Sequence, residues 1–94
     1  MLVIFSVYRL AHDGIGVCVE RPQHNATATK TYRSLQKAKS TLLSFGIAEE
    51  VLDECLRLVP QLGEGERLKL PPLDVPRHDL MAAGFGRLEL DVRP

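Results

Sequence analysis

The stretch Thr27–Gly46, TATKTYRSLQKAKSTLLSFG, constrains the fold most, because its polarity period changes from two to about 3.6 partway along. Threonines 27, 29 and 31 alternate with Ala28, Lys30 and Tyr32, the pattern of a pleated strand with one solvated face. Beyond them Leu35, Ala38, Leu42 and Phe45 recur at steps of three and four. They share one helical face, while Gln36, Lys37, Ser40 and Ser44 fall elsewhere on the cylinder. Ser34 is placed to N-cap that helix, its hydroxyl accepting from a first-turn amide. Gly46 supplies the left-handed residue that ends it.

Upstream, Leu2–Leu10 is rich in β-branched and aromatic residues and reads as a strand with Val3, Phe5 and Val7 on one face and Ile4, Tyr8 and Leu10 on the other. Apolar residues on both faces imply a central strand, or an edge covered by a second copy of the chain. Ala11-His12-Asp13-Gly14 is a turn, after which Ile15, Val17 and Val19 alternate with Gly16, Cys18 and Glu20 to close a hairpin. Arg21–Asn25 forms the next loop, since Pro22 lacks the amide proton that would continue the ladder. With the strand from Ala26 to Arg33, the first third of the chain is a three-stranded antiparallel meander.

A second helix starts near Ala48, where Glu49 and Glu50 suit a helix N-terminus and Val51, Leu52, Cys55, Leu56 and Val59 form a stripe. It stops before Pro60, and Gly46-Ile47 makes the corner between the helices. Burying Leu35, Leu42, Val51, Leu52 and Leu56 contributes about 1.5–3 kcal/mol each before entropy. Gly63–Glu66 is an acidic turn, Arg67–Leu70 a short strand halted by Pro71-Pro72, and Leu73–Val75 extended because residues preceding proline avoid the helical region. Pro76 opens a short helix through Ala83, with Leu80 and Met81 toward the core and Gly84 as its stop. Arg87–Val92 alternates strictly and reads as a half-buried strand. The expectation is one α+β domain over 1–94, a mostly antiparallel sheet of about five strands. The order along the chain is strand, strand, strand, helix, helix, strand, helix, strand, with the helices mainly on one face.

Composition excludes some classes. At 45% hydrophobic and 26% charged residues the chain is an ordinary globular one, with twelve basic side chains balancing twelve acidic ones. The balance is uneven along the sequence. Residues 1–46 hold six basic and two acidic groups, net +4, and residues 47–94 hold six basic and ten acidic, net −4. Complementary halves of one domain or of a dimer explain this split, and so does an anion-binding surface on the first half. Cys18 and Cys55 make neither a disulfide framework nor a metal cluster and read as small buried hydrophobes. The apolar start MLVIFSVYRL lacks a basic leader and is too short to span a membrane, which points to a cytoplasmic protein.

No motif announces catalysis. His12 and His24 fall in turns and His78 in a first helical turn, without ligand-like spacing to one another or to the cysteines. Gly14-Ile15-Gly16 leads into a strand, whereas a phosphate cradle needs a helix N-terminus, and Gly63 to Gly65 is flanked by repelling glutamates. The pairs Glu49/Glu50 and Asp53/Glu54 are accounted for by a solvated helix surface. No catalytic residue, metal site or cofactor is therefore assigned, and the enzyme class ranks third.

Two binding classes remain. The first is a protein-interaction module, self-associating as a homodimer through surplus apolar strand or helix surface. The second is nucleic-acid binding through the basic meander and first helix, residues 21–39, with Lys30, Arg33 and Lys37 as the contacts to an anionic partner. In topology alone, a three-stranded sheet followed by a helix resembles some sheet-reading DNA-binding domains, including integrase arm-type modules. That layout carries no residue roles. Against it, Lys37 and Lys39 diverge by about 200° on a helix. Tyr8 and Tyr32 are the only tyrosines available to stack on bases, and the sheet has its own use for them.

Overall fold

Alternate side chains of the first strand select the covered face of the sheet. In the computed structural model, which describes residues 1–22 and 26–85, β1 (Leu2–Arg9) removes Val3, Phe5 and Val7 from solvent and leaves Ile4 and Tyr8 half-buried on the opposite face. β2 (Ile15–Arg21) pairs antiparallel with it, Val19 opposite Phe5 and Val17 opposite Val7, so Ile15, Val17 and Val19 extend the same apolar surface. β3 (Ala26–Tyr32) adds Ala28 opposite Val19 and Lys30 opposite Val17, completing the meander. On the other flank of β1 lie two short antiparallel strands. β4 (Leu68–Lys69) faces Val7 and Ser6, and β5 (Leu73–Asp74) faces Val3 and Leu2. Among the described residues the sheet has five antiparallel strands in the order β3-β2-β1-β4, with β5 also bonded to β1.

Three helices complete the α+β fold: α1 (Leu35–Ser44), α2 (Glu49–Leu58) and α3 (Arg77–Ala82). The local signals explain their ends. The amide of Lys37 donates to Ser34 Oγ at 3.3 Å, and Gly46 takes φ 94°, where an L side chain is strained. α3 closes in a Schellman turn. The Gly84 amide donates to Met81 O at 3.1 Å and the Phe85 amide to Leu80 O at 2.8 Å, with Gly84 at φ 96°. That reversal aims Phe85 inward. All three phenylalanines of the chain meet there, Phe5 stacking on Phe45 at 4.9 Å between centroids and Phe85 standing edge-on to Phe5 at 6.1 Å.

A single core forms between one sheet face and the helices; Ala38, Leu42, Leu52, Leu56, Val75 and Leu80 all belong to it. Some expected core residues lie outside. Leu35 is 38% exposed, Val51 40% and Met81 53%. Leu52, Cys55 and Leu56 already fill the sheet-facing stripe of α2, continued by Val59 just past its end, and Val51 stands about 100° round the helix from Leu52, on the flank. Met81 relates to Leu80 in the same way. Leu35, in the first turn of α1, overhangs the end of the sheet beside a small cavity shared with Arg9, Ile15, Val59 and Pro60. Leu73–Val75, expected to be merely extended, pairs on β1 as β5. Leu73 and Val75 join the helix-side core and leave the second sheet face uncovered by them. The strand expected at 87–92 and the loop residues Gln23, His24 and Asn25 lie outside the described residues. Among the described residues, no helix is long and apolar enough to cross a membrane.

Candidate interaction surface

The two flanks of the sheet are built differently, and the surface that invites a partner follows from that difference. β4 and β5 are two residues each and are separated by Leu70 and Pro71-Pro72, so no continuous row of amides is presented on that side. β3 is seven residues long, contains no proline, and has no strand on its outer edge among the described residues. Alternate amides and carbonyls along it point outward, bonding groups that no strand among the described residues takes up.

Side chains on β3 divide by face. Thr27, Thr29 and Thr31 are exposed on the side away from the helices, while Ala28 is buried beneath them. Lys30, on the helix side, is exposed and bends off the edge toward α3. Its Nζ donates to Ala83 O at 2.8 Å, the carbonyl at the end of α3, and lies 5.6 Å from the centroid of the Tyr32 ring. A cation at a helix C-terminus is favoured by the helix dipole as well as by the hydrogen bond.

Above that lysine runs an open groove of about 550 Å³ between α1 and α3, lined by Lys30, Ser40, Thr41, Ser44 and Asp79. Two of its three hydroxyls are spent on the backbone: Thr41 Oγ1 donates to Lys37 O and Ser44 Oγ donates to Thr41 O. Each then offers lone pairs outward, as do Asp79 and the Ala83 carbonyl. The groove is rich in acceptors and carries one cation and one anion, an arrangement that suits polar donors and a zwitterionic surface better than phosphate.

Of the three anion contacts named from the sequence, Lys30 is thus engaged within the fold, whereas the exposed side chains of Arg33 and Lys37 have no ion pair or hydrogen bond among the described residues. The structure brings Lys30 to α1 and α3; it provides no shared contact linking it to Arg33 or Lys37. The charge split between the halves is partly consumed internally. Lys39 Nζ lies 2.7 Å from Asp53 and 3.1 Å from Glu49, clasping α1 to α2, whereas Lys69 Nζ, 3.8 Å from Glu20, joins the halves with the opposite polarity. Hydrogen bonds to Asp53 and then to Glu49 hold the Lys39 ammonium above the ordinary lysine pKa.

The second face of the sheet is less greasy than the alternation suggested. Leu2 is exposed at its margin, but the centre is made by Ser6, Gly16 and Cys18, all buried. Tyr8 lies flat across Gly16, its opposite residue on β2, and a Cβ at position 16 would collide with the ring. The Arg67 guanidinium sits over the same ring, 5.1 Å from its centroid. This stack closes the middle of the face with the chain's own groups. A shallower apolar groove of about 260 Å³ runs along the flank of α2, where Val51, Cys55 and Leu58 meet Leu68 and Pro71. Burial pushes the Cys55 thiol up, which keeps it protonated and unreactive at neutral pH. Both cysteines are free, and among the described residues no group of three or more His, Cys, Asp or Glu side chains is placed to hold a metal ion.

Sequence reasoning named Lys30 but missed the groove above it and its hydrogen bond to the end of α3. The period-two pattern assigns Lys30 to the helix side, which was the available signal, but not the turn of the side chain toward α3. In comparisons with known proteins, the chain matches no family model, no curated protein and no solved structure.

Proposed function

We propose that this chain is a small non-enzymatic interaction module that self-associates as a homodimer through its sheet. The observation that carries the reading is the inequality of the sheet flanks among the described residues: one is interrupted by Pro71-Pro72, and the other is an unbroken seven-residue edge with only one charge. Exposed edges are normally blunted by proline, charge or brevity, and an edge lacking those devices is a template for strand addition. The single charge on β3 is exposed but held off the edge by its hydrogen bond to Ala83 O. Light scattering across a concentration series tests the reading, with a species of twice the 10.5 kDa chain mass as the expected result. A strictly monomeric species at every concentration overturns it.

A second reading, contact with a polyanion, is favoured by the exposed Arg33 and Lys37, whose side chains are unpaired among the described residues. Filter binding to nucleic acid at low and moderate salt tests it, and binding absent at low salt removes it.

A further inference from the structure

We infer that the homodimer forms by antiparallel pairing of β3 with β3 of a second copy, about a two-fold axis through Thr29. This inference rests on the homodimer reading and fixes its register. A two-fold axis normal to an antiparallel sheet passes through the middle of a directly opposed pair, so one residue must face its own symmetry mate. Thr29 is the midpoint of Ala26–Tyr32, and centring there pairs the whole strand: Thr27 with Thr31, Ala28 with Lys30, and Ala26 with Tyr32 of the other copy. Centring on Lys30 opposes two like charges and leaves the start of the strand unpaired. Centring on Ala28 leaves its end unpaired.

Directly opposed residues share a face, so this register puts the helices of both copies on one side and aligns a row of threonines on the other. Threonine–threonine pairs are favourable across antiparallel strands. On the helix side the grooves of the two copies meet across the axis. Each carries Lys30 and Asp79, so the surface is self-complementary in charge, as an isologous contact requires. The opposite flank offers no equivalent, since its two-residue strands are split by prolines.

Cysteine cross-linking reads the register. Opposed residues in an antiparallel pair have Cα atoms about 4.5–5.5 Å apart, within the range a disulfide spans. Cys18 stands opposite Thr29 on β2 and would compete for a thiol placed there, so the cysteines are introduced in a Cys18→Ala background. Under mild oxidation Thr29→Cys is expected to give a covalent dimer. Thr27→Cys alone stays uncrosslinked, and Thr27→Cys/Thr31→Cys crosslinks; Cys18→Ala alone, whose one remaining thiol is buried, is the control. A dimer by light scattering in which Thr29→Cys fails to crosslink, or Thr27→Cys alone succeeds, overturns this register and leaves the homodimer standing. A monomer overturns both. In that monomer, protection of the outward-facing amides of 26–32 that is lost when residues 86–94 are removed assigns the edge to the chain's own 87–92 segment, the inward amides being protected by β2 in either case.

Discussion

The two flanks of this sheet solve the same problem in opposite ways. Both end in backbone groups that no further strand of the described chain satisfies, yet β4 and β5 are short and broken by Pro71-Pro72, and β3 runs seven residues without interruption. Proline removes a donor and fixes φ, so the β4/β5 flank cannot template a partner. The difference teaches that edge protection here is local and asymmetric, and that the unprotected edge is where association is expected.

The largest effect tests what both flanks share, the helix layer beneath them. Leu42 is fully buried against the sheet, and Leu42→Asp is expected to unfold the chain, a loss above about 4 kcal/mol visible as collapse of the circular dichroism signal. Lys37→Asp, on the exposed side of the same helix, should change stability by no more than about 0.5 kcal/mol. Next, Pro71→Thr/Pro72→Thr breaks the comparison by giving the second flank a continuous ladder. Light scattering should then show species larger than a dimer, at concentrations lower by about tenfold. A smaller effect is expected from Thr29→Lys, which sets like charges face to face at the proposed axis. It should raise the dimer dissociation constant by about tenfold, with thermal stability of the chain within about 0.5 kcal/mol.

The smallest prediction concerns Lys39, which joins the helices beneath the sheet. Its folded pKa is raised above the ordinary 10.5, so the stabilisation is fully present below that pH and is lost as pH rises through the raised folded value. Chemical denaturation above pH 10.5 should show a decline that Lys39→Met lacks.

Much of this fold was legible because local chemistry and global packing agree at its joints. Ser34 and Gly46 mark the ends of α1 in both sequence and structure, and the strand alternation at Val3, Phe5, Val7, Val17 and Val19 names the covered face. Periodicity says which way a side chain points, not how far the neighbouring layer extends. Val51 and Leu35 are therefore apolar positions that the core does not reach. Phe85 was invisible for a different reason. A single aromatic between Gly84 and Gly86 has no period, and its role appears only when the α3 turn directs it at Phe5 and Phe45. The interaction surface was half legible. The threonine alternation marks β3 as a strand with one wet face, but which strands end up outermost depends on β4 and β5 docking on the far side of β1.

That docking also orders events in time. Phe5 is enclosed by Phe45 and Phe85, and β1 takes its second set of neighbours from residues 68–74, so the hairpin made early in vectorial synthesis waits, half dressed, for segments that emerge some sixty to eighty residues later. A ribosome stalled before those segments would display a greasy ribbon, which is the species that chaperones are built to hold.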